Sequence, residues 1–232
     1  MSRMVKTRST SPGEILLSTP SPPGRKQGQR QPGRRAQPRV DSFLEAATEV
    51  FLEKGYRNTR LTDIVARSGG SLSTLYAAFG DKEGLVHAIM ERSIRSFGEG
   101  LDILDEPGLA PADALPPAAE RLAAEMLTPE RVVSHRIIIG EGIAFPELRD
   151  WFFEHGVEPA HARLADYFSR QVAANALVID HPAIAADQFY MAAFAGTIIR
   201  TINGKLSPTD LPAVRAQARE AALVFLRGVL PR

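Results

Sequence analysis

From Arg39 to Lys54 the apolar residues Val40, Phe43, Leu44, Ala47, Val50 and Phe51 recur at intervals of three and four, which places them on one face of a helix. Gly55 stands where a left-handed cap would end it. Leu61, Ile64 and Val65 mark a short second helix over 61–68, and Gly69 and Gly70 then force a turn. Ser71 is placed to cap a third helix carrying Leu72, Leu75, Tyr76 and Phe79. Gly80 breaks that helix, and Asp81 caps a longer fourth one with Leu85, Val86, Ile89, Met90 and Ile94. Two short helices joined by a glycine turn, between supporting helices, form the helix-turn-helix arrangement, whose second short helix enters the major groove of DNA.

Past residue 100 the helical period continues. Pro107 to Pro117 reads as a Pro/Ala-rich connection, followed by helical patterns near 114–128, 129–141, 146–174, 182–203 and 208–229. Gly156 and Pro159 are expected to kink or divide the third of these. The fold class predicted is all-α, an N-terminal three-helix helix-turn-helix domain over 39–86 joined to a larger helical domain over 87–232.

Composition agrees with a globular body. Of 232 residues, 44% are hydrophobic and 24% charged, as in an ordinary soluble protein. Without cysteine, a disulfide scaffold, a thiolate metal site and a cysteine nucleophile are excluded together. No apolar run approaches the 18 or so residues of a membrane span, and Ile15 to Leu17 is too short for a secretory core, so a cytoplasmic location is expected. The net charge of +1 conceals two regions: Met1 to Arg39 hold nine basic residues against Glu14, and the remainder holds 19 basic against 26 acidic. Residues 1–38, with six Pro, four Gly and no aromatic residue, are expected to be a disordered tail. This tail reads either as an arm adding sequence-independent phosphate contacts or as a solvated extension. Val40 to Arg95 balance seven basic against eight acidic residues, so the helical domain itself is no basic patch.

Residues 40–86 read VDSFLEAATEVFLEKGYRNTRLTDIVARSGGSLSTLYAAFGDKEGLV. The A-A-x-x-V-F-x-E-K-G-Y run, the T-x-L-x-D-I-V-A segment, the S-x-S-T-L-Y-x-x-F helix and the D-K-E-G-L that follows resemble the DNA-binding domain of the TetR family of transcriptional regulators. The resemblance implies phosphate contacts from Thr59, Tyr76 and Lys82 and a base-reaching Arg60. It also puts the exposed start of the third helix, Leu72, Ser73, Thr74, Tyr76 and Ala77, against base edges, while Leu75 and Phe79 face the core. Three positions depart from the family pattern. Gly70 stands where an apolar residue, often Val, is usual; Leu72 replaces a commonly polar residue; Ala78 takes a place often held by His. Fewer direct polar base contacts are therefore expected, with more weight on Arg60, Thr74 and the backbone.

For the rest of the chain the resemblance is one of architecture, and it implies a homodimer and a small effector. Glu141 to Phe153 is similar to a segment shared by a subgroup of these regulators. The small-residue stretch Met191 to Gly196, with Val214, Ala218, Ala221, Ala222, Phe225 and Leu226 of the last helix, is the expected four-helix dimer interface. The expected lining of an effector pocket is Phe145, Trp151, Phe152, His155, Phe168, Phe189, Tyr190 and Phe194, with Arg136 and Glu141 as polar members. Such aromatic residues suit a hydrophobic or amphipathic effector, and they suit an ordinary core equally. The five histidines show no H-E-x-x-H spacing, and no G-x-S-x-G, P-loop or dinucleotide fingerprint is present. No metal, cofactor or enzymatic activity is therefore expected. The reading is a DNA-binding regulator released from a palindromic, double-stranded operator by its effector. The alternative is a helical ligand-binding module, or an activator, with little operator repression of its own.

Overall fold

The computed structural model describes residues 37–231, and every regular element among them is helical. The tail expected over 1–38 lies outside the described residues except for Gln37 and Pro38, whose backbone opens the first helix. In chain order the helices are α1 (Gln37–Asn58), α2 (Leu61–Ser68), α3 (Leu72–Phe79), α4 (Lys82–Gly100), α5 (Pro111–Glu125), α6 (Pro129–Glu141), α7 (Pro146–Phe152), α8 (Glu158–Ala173), α9 (Pro182–Ile202) and α10 (Leu211–Val229). At Gly55 the chain leaves helical geometry (φ 75°, ψ 164°), a left-handed conformation that glycine adopts without steric cost.

One expectation for the helices changes, and the expected division of the third pattern is present. The Pro/Ala-rich stretch is a connection only as far as Ala110, because Pro111 starts α5 and Pro116 and Pro117 lie inside it. A proline in the first turn loses no helical bond. The two interior prolines lack the N–H that would bond back to Ala112 and Asp113, and both of those residues are exposed, leaving their carbonyls to water. The long third pattern is divided by a π-turn over Phe153–Val157. A Cβ on Gly156 would stand 2.9 Å from the Ile94 side chain of α4, so glycine there permits the close approach of the two segments.

Two apolar cores share α4. Its first half, through Leu85, Val86, Ile89 and Met90, packs with Phe43, Val50 and Phe51 of α1, Ile64 of α2 and Leu75 of α3. This core continues into Val133, Ile137 and Ile138 of α6 and Leu148 and Phe152 of α7. The second half of α4 gives Phe97 to a larger core with Leu115 and Leu122 of α5, Leu164 and Phe168 of α8, Phe189 and Phe194 of α9, and Val214 and Leu226 of α10. Residue 86 thus falls within one continuous helix, and α4 is a beam running from one core into the other.

The dimer interface expected from α10 needs correction. Val214, Ala218, Ala222 and Leu226 are buried within the protomer, on the side where α10 packs against α5. Ala114, Ala118 and Ala119 of α5 are equally buried in the same core, so small residues on both helices let the two backbones close on each other. The opposite sides of α9 and α10 keep apolar residues in water: Ile184, Met191 and Ile199, together with Val224, are each more than half exposed.

Candidate functional site

Local interactions shape the helix-turn-helix. Arg60 precedes α2 in an extended conformation, and its backbone N–H donates to Asp63 Oδ2 at 3.0 Å, satisfying one free donor at the helix start. Asp63 also pairs with Lys54 at 3.0 Å. The Arg60 N–H first, then Lys54, hold the Asp63 carboxyl below its ordinary pKa. The Arg60 side chain is exposed and forms no ion pair among the described residues.

Gly69 caps α2 in the left-handed conformation (φ 69°), its N–H donating to Val65 O at 3.1 Å. Gly70 lies against the ring of Phe43, where a Cβ would come within 2.4 Å of Cζ. The departure from the apolar residue usual here is thus matched by a large aromatic side chain on α1. Ser71 caps α3, its Oγ accepting the Thr74 N–H at 3.2 Å, with the hydroxyls of Ser73 and Thr74 at 3.0 and 2.8 Å. Leu75 is fully buried and Phe79 meets Phe43 edge-on at 6.3 Å, anchoring the inner side of α3. On its outer side Leu72, Ser73, Tyr76 and Ala77, spaced i, i+1, i+4 and i+5, are exposed. Tyr76 is half exposed, so it is no core tyrosine.

Thr59 and Lys82 sit differently from the other DNA-facing candidates. The Thr59 side chain is buried, and its Oγ1 donates to Gly55 O at 2.8 Å. Lys82 Nζ donates to the carbonyls of Tyr56 and Thr59 at 2.9 and 3.2 Å and lies 4.4 Å over the Tyr56 ring. Burial pulls the Lys82 amine below its ordinary pKa. The Lys82 side chain ties the end of α1 to the start of α4, the Thr59 hydroxyl is spent within the end of α1, and neither polar tip stands free at the surface. Arg60, Leu72, Ser73, Thr74, Tyr76 and Ala77 remain together around the start of α2 and along α3.

Behind this face lies a junction between α1 and α6. Arg57 pairs with Glu141. Arg136 Nη1 donates to Leu52 O at 3.3 Å and its Nε to Ile202 O at 3.0 Å, so one guanidinium bridges α1, α6 and α9. A cleft of about 290 Å³ opens between the end of α1 and α6, with Arg136 and Glu141 in its wall. Phe145 packs edge-on against Tyr56 at 5.0 Å, and burial, ahead of nearby acids, pushes the Tyr56 hydroxyl up to about 12.

The ten residues expected around an effector do not converge. Arg136, Glu141 and Phe145 belong to this junction. Trp151 lies between the rings of His87 (4.7 Å) and His155 (4.6 Å), His155 is exposed, and Phe152 is buried in the first core. Phe168, Phe189 and Phe194 fill the second core, with Phe168 stacked on Phe225 at 5.2 Å. Phe152 meets the buried His135 edge-on at 6.1 Å, and Tyr190 faces Phe97, Phe194 and His161, near the buried charge of Arg131. The sequence reading singled out neither Arg131, whose guanidinium lies 4.7 Å from the Phe97 ring, nor Ser93. One signal did point to Arg131: it shares a helical face with Ser134, His135 and Ile138. Burial first, and the Arg131 charge second, pull His135 down to about 3, so it is neutral at physiological pH. Among the described residues no cluster of side chains has the makings of a metal site, and no helix is long and apolar enough to cross a membrane.

Comparison with known proteins gives two adjoining family matches. Residues 43–89 match the model described as "Bacterial regulatory proteins, tetR family", and residues 113–228 match "AefR-like transcriptional repressor, C-terminal domain". The HTH-type transcriptional repressor ComR of Escherichia coli (strain K12) is 41% identical over 66 residues, 27% of this chain and 31% of that protein. The chain thus spans about a third of the length of that curated relative. A TetR-family regulator from Mesorhizobium loti MAFF303099 superimposes with a TM-score of 0.72 at 21% identity, covering 85% of this chain and 99% of that one. The flavonoid-responsive regulator FrrA does so with a TM-score of 0.58 at 28% identity, covering 85% and 100%.

Proposed function

The chain belongs to the TetR family of transcriptional regulators, and from that premise we propose that it acts in the cytoplasm as a homodimeric repressor. It binds a palindromic operator and leaves it when a small amphipathic effector enters the larger helical domain. The observation that carries this reading is the outer face of α3, where Leu72, Ser73, Tyr76 and Ala77 project from a helix whose inner side is locked by Leu75 and Phe79. Ser73 and Tyr76 supply hydrogen bonds to bases or phosphates, Leu72 and Ala77 suit thymine methyl groups, and Arg60 suits a guanine edge.

A single recognition helix reads a half-site, so a palindrome requires two copies of the chain. The exposed Ile184, Met191 and Ile199 of α9 and Val224 of α10 support self-association, because large apolar side chains left in water gain by burial against a partner. Arg200 Nη2, donating to Gln217 Oε1, ties α9 to α10. FrrA, described as flavonoid-responsive, supports regulation by a small molecule.

In this mechanism the free dimer holds its two α3 helices at half-site spacing, and the effector stabilises another arrangement. Arg136 and the Arg57–Glu141 pair make α6 the link, since both connect it to the end of α1. The coupling equals the ratio of effector affinities in the two arrangements. Binding of the full chain to the DNA beside its own gene, measured over a range of salt, tests the proposal. A steep fall of log affinity with log salt is expected; absent or salt-insensitive binding overturns it.

A further inference from the structure

Between α4, α6, α8 and α9 the protein buries a guanidinium with no acid to balance it. Arg131 is 4% exposed. Its Nη2 donates to the Ser93 carbonyl at 2.8 Å and its head lies 4.7 Å over the Phe97 ring. Nε has no acceptor, and Ser93 Oγ has no partner either. No carboxylate lies within ion-pair distance of Arg131 among the described residues. Glu125, whose charge acts on it from farther off, accepts from Ser96 Oγ at 2.7 Å. Across Tyr190, His161 Nδ1 is held by Asp187 at 2.5 Å, which leaves its buried Nε2 unpartnered. The rings form a continuous path, His161 to Tyr190 at 4.8 Å and Tyr190 to Phe97 at 6.3 Å.

Unpaired buried charge is costly to a fold, and orphaned buried polar atoms point to a partner that completes them. Arginine meets carboxylates with a planar fork of donors. Three orphaned polar atoms at the two ends of an aromatic path therefore describe a ligand as well as a site. We infer that Arg131 and Ser93 form the head-group subsite for a monoanionic organic acid, whose apolar body lies along Phe97 and Tyr190 and whose far end offers a hydrogen-bonding group to His161 Nε2. This rests on the proposed effector control and specifies its chemistry: an acid, where the sequence suggests only an apolar or amphipathic molecule.

The test uses the full chain and two acids, 4-hydroxycinnamate and decanoate, each beside its methyl ester, followed by thermal shift and calorimetric titration. At least one acid is expected to bind and raise Tm, with its ester weaker by about tenfold or more, as for loss of a charge-assisted hydrogen bond. Arg131→Met, which keeps the length and removes the charge, is expected to cost the acid a similar factor, and Arg131→Lys to retain part of the affinity. Esters binding as tightly as their acids, an Arg131→Met protein binding the acid like wild type, or no binding by any of the four compounds overturns the inference. The acid-against-ester comparison on the unaltered chain decides the matter even if Arg131→Met fails to fold. Operator binding run in parallel separates the two readings. Acid selectivity without DNA binding refutes the regulator and keeps the site. Operator release by a neutral compound that Arg131→Met leaves unchanged keeps the regulator and refutes the site.

Discussion

Gly70→Val places the residue usual in related regulators into a turn built around its absence. A Cβ there would stand 2.4 Å from Phe43 Cζ and 2.7 Å from Cε1, far inside contact distance. The ring has little room to yield, because Phe43 is 1% exposed and meets Phe79 edge-on. Gly70 is not among the glycines with positive φ, so valine is compatible with the backbone and the penalty is one of packing. Inserting methyl groups into a filled core costs about 1–3 kcal/mol, or roughly 3–10 °C in Tm for a chain of this size. Phe43→Leu removes the ring atoms in the way and is itself destabilising through lost burial. The double variant should therefore be more stable than the sum of the two single effects by about 1 kcal/mol or more. Thermal unfolding of the three variants against wild type measures this coupling. A Gly70→Val protein as stable as wild type, or strictly additive single effects, would refute the packing argument.

Arg60→Ala is expected to weaken operator affinity by roughly tenfold to a hundredfold, the worth of a bidentate base contact, with unchanged Tm; competition gel shifts measure it. Met191→Asp combined with Val224→Asp puts charge at exposed apolar positions of α9 and α10 and should convert a dimer into a folded monomer, read by light scattering; a dimer that persists places the interface elsewhere. His135, held down to about 3 in the folded protein, binds its proton near 6.5 once unfolded. Its depressed folded value makes a contribution that is complete above the unfolded value and is lost as pH falls through the window between them, about 2 kcal/mol by pH 5. His135→Gln should flatten the decline in stability from pH 7 to pH 5, and an unaltered decline would assign it to other groups.

The helix-turn-helix was legible because its signals are local. Ser71 and Asp81 cap the helices they precede, and Gly69 takes the left-handed conformation a helix end requires. The remaining helices followed from periodicity, apart from the start of α5, where three prolines read as a connection. Partners distant in sequence stayed hidden. Lys82 reads as a phosphate-binding cation, yet the carbonyls that hold it belong to Tyr56 and Thr59 on the far side of two helices. The small residues of α10 suit a second protomer as well as they suit α5, and periodicity says that a face is apolar without saying what covers it. Aromatic residues drew attention as pocket walls, whereas packing consumed most of them. Arg131 escaped because arginine is ordinarily a surface residue, although its register on α6 directs it inward.

The most direct test of the central claim is a nuclease footprint of the full chain on the DNA adjoining its own gene. Protection is expected of an inverted repeat whose half-site centres lie about one helical turn, or a whole multiple of it, apart. It is expected to disappear with Arg60→Ala and with the α9/α10 double variant, for lost base reading and lost pairing respectively. Protection of a single unrepeated site, or protection that both variants retain, would contradict that claim.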